Sequence, residues 1–280
     1  LCRPQDKAQL KTVLGWARQE GRPVIVLSGG TNVLVSDEGV KGVVVLLREG
    51  FDRLRYYPLV RDWVRAGAGV KTARLVGLAA REGWAGLAFL AGVPGTIGGA
   101  AATGASTKDG SMDQVITRLD VIDPAGQDLA LLAGGQEYAR WRLNPASSRI
   151  VIEVEMKFGL RDEPKEVARR IRAALRRRRQ TQPRGQGSAG CFFKNPADDF
   201  AGRLIEAAGL KGLRIGDAQV SPLHANFIVN LGQATAADVL ALAERIQAEV
   251  KERFGRELAP EVDMIGFEEG RWPTRPHNSV

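Results

Sequence analysis

Between Gly83 and Gly104 the chain has seven glycines and no charged side chain. Such a stretch has no polar face to turn to water and too many bare positions for a stable amphipathic element. It must be covered, either by close packing of small residues or by a ligand lying against exposed main chain. At its centre, Leu90-Ala91-Gly92-Val93-Pro94-Gly95-Thr96-Ile97-Gly98-Gly99-Ala100 leaves the backbone bare at Gly95, Gly98 and Gly99, and Pro94 stiffens the approach. The pattern suits a loop that offers main-chain N–H groups to a phosphate. Helix packing through small residues is the competing explanation, and the density of glycine weighs against it.

A second cluster, Leu27-Ser28-Gly29-Gly30-Thr31-Asn32-Val33-Leu34, follows the apolar run Pro23–Leu27. Glycine there permits positive φ and close approach of an anion. Thr31 and Asn32 add side-chain hydrogen-bonding groups. Alone, this cluster reads equally well as a plain tight turn. Neither cluster is a G-x-G-x-x-G or ends in G-K-S/T, so a nucleotide site here is of another kind.

The chain's 280 residues allow two or three domains. Its 44% apolar and 26% charged content is that of a globular protein. No run nears the roughly 18 apolar residues a membrane span needs. The cysteines are Cys2 and Cys191 and the histidines His224 and His277, which excludes a disulfide framework and a His-rich metal site. A reducing cytoplasm is the simplest compartment. The net charge of +8 favours a polyanionic partner, whether nucleic acid, dinucleotide or nucleotide diphosphate.

Periodicity predicts helices over 6–18, 72–81, 164–179, 197–208 and 236–254. It predicts strands over 23–27, 43–47, 63–68, 115–122, 150–158, 191–194, 226–230 and 262–265. Composition shifts near Arg161. The resulting division is 1–49, 50–161 and 162–267, with a polar, mobile tail over 268–280.

Two further segments carry chemistry. In Gly187-Ser188-Ala189-Gly190-Cys191-Phe192-Phe193-Lys194-Asn195-Pro196 small residues expose the thiol, and Lys194 and Asn195 set a cation and an amide beside it. A lone Cys is by default a small buried hydrophobe, but Gly190 and Lys194 are not core neighbours. In Pro260-Glu261-Val262 a carboxylate opens an apolar strand.

Together these segments, with Val220-Ser221-Pro222-Leu223-His224-Ala225-Asn226-Phe227, resemble the UDP-N-acetylenolpyruvoylglucosamine reductase family, with its motifs in order from about Leu27 to Ile265. The resemblance implies an α+β fold. A two-lobed FAD-binding domain of the vanillyl-alcohol-oxidase type spans 1–49 and 50–161, and an α+β substrate-binding domain follows. It implies non-covalent FAD held by Ser28, Gly29, Gly30, Thr31, Asn32, Val33 and Leu34, and by Ala91, Gly92, Val93, Pro94, Gly95, Thr96, Gly98, Gly99, Ala100 and Gly104. It implies that NADPH reduces the flavin, that hydride passes from flavin N5 to C3 of a UDP-sugar enolpyruvyl ether, and that a proton goes to C2. Cys191 stands where the family commonly has a serine proton donor, Glu261 is its acidic partner, and Arg140 matches the family arginine, with Arg142 its rival. Lys194, Asn195, Arg179, Gln219 and His224 are the implied substrate contacts. The short last domain looks like the compact subtype. The resemblance further implies a cytoplasmic monomer without metal, membrane or nucleic-acid partners.

Two other readings stand against it. A sugar or alcohol oxidase of the same flavoprotein superfamily often attaches FAD through His or Cys, yet no His precedes His224. The arginines at 169, 170, 172 and 176–179 fit a nucleic-acid surface, but they fit a solvated helix face better.

Overall fold

The computed structural model describes residues 1–57, 60–123, 125–132, 138, 149–159 and 161–267. Among the described residues two compact units emerge: one holds those of Leu1–Gly30 and Lys41–Arg176, the other those of Thr31–Val40 and 177–267. Helices and strands are numbered in chain order.

In the first unit, Asp6 caps α1 (Lys7–Gln19) by accepting from the Gln9 N–H at 2.8 Å. The periodicity that predicts this helix has a physical outcome: Leu10, Leu14 and Ala17 are buried. They pack with Val24, Val43 and Val45, from the parallel pair β1 (Val24–Leu27) and β3 (Val43–Leu46). A five-stranded antiparallel sheet follows, in the order β4 (Leu54–Tyr57), β5 (Val60–Gly67), β10 (Ile150–Lys157), β8 (Ile116–Ile122), β9 (Asp128–Leu132). Its alternation sorts two faces. Val64, Ala66, Leu119, Val154 and Met156 point into the core, with α2 (Thr72–Glu82), α3 (Ile97–Thr103) and Trp84. On the other face Arg65 bonds Asp120, lies 2.9 Å from Glu153 and 3.9 Å from Glu155. The hairpin β6 (Ser106–Thr107) and β7 (Gly110–Ser111) follows α3. The boundary between the units falls within α4 (Pro164–Thr181), which buries Val167, Ile171 and Ala174.

In the second unit, β11 (Arg214–Ile215), β12 (Ala218–Val220) and β13 (Ile228–Asn230) form an antiparallel sheet. Phe192, Phe193, Leu204 and Ile205 pack with Ala243, Ile246 and Val250, joining α5 (Ala201–Ala207) to α6 (Ala236–Phe254). Thr235 caps α6 in a full capping box with Asp238.

The structure departs from the sequence reading in several places. The segment 31–40, grouped by sequence with residues 1–49, belongs to the second unit. There β2 (Val33–Val35) pairs in parallel with β14 (Asp263–Ile265), and the Asp37 carboxylate accepts from the Ala236 and Ala237 N–H groups at 2.8 and 3.1 Å. Residues 191–194, expected as a strand, make single bridges at Cys191 and Phe193. Helix α3 was hidden by its glycines and alanines, which carry no helical hydrophobic stripe. The tail over 268–280 lies outside the described residues.

Asp37 supplies two of the acceptors that the first turn of α6 lacks. Asp37→Ala should therefore lower unfolding stability by about 1 kcal/mol, the usual worth of a helix cap. Urea denaturation reads this as a lower midpoint, and an unmoved midpoint would show the cap to be idle.

Candidate active site

The first unit brings its two glycine clusters together. A Cβ built on Gly99 would sit 2.7 Å from the Ser28 Oγ, so the turn after β1 lies against the first turn of α3. Thr96 caps that helix, its Oγ1 accepting from the Gly99 N–H at 3.3 Å. The loop before it is stitched to 68–72. Thr72 donates its hydroxyl to the Val93 carbonyl at 2.6 Å and its N–H to Gly95 O at 3.2 Å, and Ile97 N–H donates to Val70 O at 2.8 Å.

The glycines divide by role. Gly98 is a packing residue rather than a bare donor. Its N–H goes to Ala68 O at 2.9 Å, and a Cβ there would meet the Ala68 Cβ at 2.5 Å. The Gly99 and Ala100 N–H groups are spent on Thr96. By contrast, Gly30, Gly92 and Gly95 have φ of +64°, +76° and +107°, where side chains are strained. Among the described residues, no acceptor takes the N–H groups of Gly29, Gly30, Gly95 or Thr96. Unclaimed donors in such turns, two of them on glycines at positive φ, are what a pyrophosphate needs. The residues present fit a dinucleotide such as FAD. Ala91 precedes this loop, buried, and Gly104 ends α3 in the left-handed conformation. Val33 and Leu34 lie in β2, and Leu34 packs into the second unit's core.

In the second unit three chain segments meet around Cys191. Phe192 N–H donates to Asn226 O at 2.8 Å, Glu261 N–H to Phe192 O at 2.8 Å, and Lys194 N–H to Ala259 O at 2.8 Å. Asn226, buried, closes the arrangement. Its Oδ1 accepts from the Phe193 N–H at 2.9 Å and its Nδ2 donates to the Phe193 carbonyl at 2.8 Å. Cys191 bridges Phe227 at one end of this arrangement, and Phe193 bridges Pro260 beside Glu261.

The thiol is half-buried rather than exposed. Burial, and then the negative charge of Glu261, push its pKa up to about 12, with Arg178 pulling the other way. The sequence suggests Lys194 as the cation that acidifies Cys191. The structure puts Arg178 in that role and leaves Lys194 exposed. Burial outweighs the cation, so the thiol stays protonated at neutral pH.

The remaining expected contacts are spread over this unit. Arg179 is exposed in the last turn of α4. Asn195 is exposed, with its Oδ1 accepting from the Ala201 N–H at 3.1 Å. Gln219 donates to Gly212 O at 3.2 Å. His224 packs edge-on against Phe227, accepts at Nδ1 from the Asn226 N–H, and has its pKa lowered by burial. Arg140 and Arg142 lie outside the described residues. Tyr138, two positions before Arg140, is buried and donates its hydroxyl to Ala101 O on α3. The sequence reading missed Asn226 and Arg178. Asn226 was quoted only inside a motif, and Arg178 was lost in a run of four arginines.

Comparison with known proteins decides the family. A relative from Anaeromyxobacter dehalogenans (strain 2CP-C), a UDP-N-acetylenolpyruvoylglucosamine reductase, is 44% identical over 270 residues, which is 95% of this chain and 79% of its own length. The chain belongs to the UDP-N-acetylenolpyruvoylglucosamine reductase family. The family's C-terminal domain model matches residues 182–265, and an FAD binding domain model matches 1–131. The reductase 2 of Symbiobacterium thermophilum is 44% identical over 93% of this chain and 84% of its own. The crystal structure of the reductase from Thermus caldophilus superposes with a TM-score of 0.76 at 36% identity, covering 94% of this chain and 91% of that one. The α+β class and the FAD-binding domain expected from the sequence agree with these matches.

The raised thiol pKa is measurable. Alkylation of Cys191 by iodoacetamide, followed at the peptide level to separate it from Cys2, should rise about tenfold per pH unit from pH 8 to 11 without levelling. In urea it should level near the ordinary thiol pKa of ~8.5. Because the folded pKa lies above the unfolded one, the protonated thiol's contribution to stability is complete below the unfolded value and disappears as pH climbs toward about 12. A plateau near pH 8 in the folded protein would show that the cation, not burial, governs the thiol.

Proposed function

We propose that the protein reduces UDP-N-acetylglucosamine enolpyruvate to UDP-N-acetylmuramate, a step of peptidoglycan precursor synthesis, with bound FAD and with NADPH as reductant. The observation that carries this reading is the match of residues 182–265 to the family's C-terminal domain, in which the Glu261 N–H bonds Phe192 O, next to the half-buried Cys191.

When bound, FAD supplies the hydride that NADPH provides, and C3 of the enolpyruvyl group receives it. The chain's residues handle the rest. Cys191 holds the proton that C2 requires. Its high pKa keeps that proton in place until strong basicity develops at C2. The nearby Arg178 guanidinium offsets the thiolate charge left behind, which solvent then reprotonates. Glu261 disfavours that thiolate and so keeps the donor loaded between turnovers. In this reading Arg140 faces the substrate carboxylate. Lys194, Asn195 and Arg179 meet the diphosphate, with Gln219 and His224 at the nucleotide. The main chain of the glycine turns at 28–34 and 91–100, with Gly104, holds the cofactor, and residues 162–267 receive the sugar nucleotide. The protein acts as a cytoplasmic monomer. No helix among the described residues is long and apolar enough to cross a membrane.

Anaerobic stopped-flow absorbance near 450 nm separates the half-reactions. Cys191→Ala should leave flavin reduction by NADPH nearly intact and slow reoxidation by the enolpyruvyl sugar nucleotide by about 10²–10⁴-fold, the usual worth of a general acid. Cys191→Ser should recover much of that loss. Equal losses in both half-reactions would overturn the assignment of Cys191. Failure of the wild-type reduced flavin to be reoxidised by this substrate would overturn the function.

A further inference from the structure

The amide of Asn32 is spent within the protein. Its Nδ2 donates to the main-chain carbonyl of Glu261 at 3.1 Å, across 229 residues of sequence. The Asn32 carbonyl accepts from the Asp263 N–H at 3.0 Å, where β2 begins its parallel pairing with β14. The peptide of Glu261 is thereby held on both sides. Its N–H goes to Phe192 O at 2.8 Å, next to Cys191, and its carbonyl goes to Asn32. We infer that Asn32 is a positioning residue for the Glu261 carboxylate, and that its side chain is not primarily a cofactor ligand.

Two points support this. First, a carboxylate whose charge acts on Cys191 must keep its distance to the thiol. Glu261 is exposed and is followed by a short strand, so its main chain, rather than burial, sets where the side chain starts. Second, the residue type is selective. Aspartate at position 32 has the same shape but no donor, and would set a carboxylate oxygen against the Glu261 carbonyl oxygen. Serine is too short to span the gap.

This inference rests on the reductase reading above. Its test uses Asn32→Asp, with Asn32→Ala as a second variant should the first fail to fold. Both should bind FAD and accept electrons from NADPH at rates close to wild type. Both should slow reoxidation by the enolpyruvyl sugar nucleotide by about 10–100-fold, as a small misplacement of a catalytic group does. If Asn32 acts through Glu261, Asn32→Ala combined with Glu261→Gln should lose no more than Glu261→Gln alone. In the cofactor-free protein, hydrogen exchange at the Glu261 and Asp263 amides should quicken at least about tenfold in Asn32→Asp. Losses that multiply in the double variant, or lost FAD binding with unchanged exchange, would overturn the inference and return Asn32 to the cofactor. Reoxidation at the wild-type rate in both variants would overturn it as well. A wild-type protein inert to the substrate would instead overturn the reading on which it rests.

Discussion

One carboxamide holds the segment around Cys191 in place. Asn226 takes both polar groups of the Phe193 peptide, while its own carbonyl receives the Phe192 N–H. Residues 191–194 have too few ladder partners to be a strand, with only single bridges at Cys191 and Phe193. Without Asn226, a buried N–H and a buried carbonyl would go unsatisfied at a cost of a few kcal/mol. The clamp replaces a sheet where a sheet would leave no room. It lets Phe192 and Phe193 point into the core while Cys191, one residue earlier, remains partly open.

The thiol's environment follows from the same arrangement. Desolvation and a carboxylate neighbour both disfavour the thiolate, and the Arg178 cation only tempers them. A cysteine so placed is a reservoir of protons rather than a nucleophile. It is correspondingly resistant to oxidation, which proceeds through the thiolate.

Much of the fold was legible in the sequence because its helices carry their periodicity plainly. The stripe Leu10, Leu14, Ala17 and the Thr235 cap both name their elements without help. Of the short strands, β13 and β14 were legible and others were not. β2, β11 and β12 are two or three residues long, below the length at which alternation speaks. Their pairing is settled by partners far away in the chain. The glycine clusters pointed to a phosphate, but not to the division of labour within them. Nothing local distinguishes Gly98, pressed against Ala68, from Gly95, which is held at positive φ. Likewise, no local signal says that Asn32 faces Glu261 rather than a ligand.

The parallel pairing of β2 with β14 has a consequence for biosynthesis. Val33 leaves the ribosome more than two hundred residues before its partner Asp263. Contacts so distant in sequence form late, after the entropy of closing the intervening chain has been met. Until Asp263–Ile265 have been synthesised, β2 has an edge to offer and no β14 to pair with. A nascent chain can therefore organise α1 and its sheet early, while β2 waits for its partner. A chain released before Asp263 would carry β2 as an unpaired edge, open to pairing with other chains.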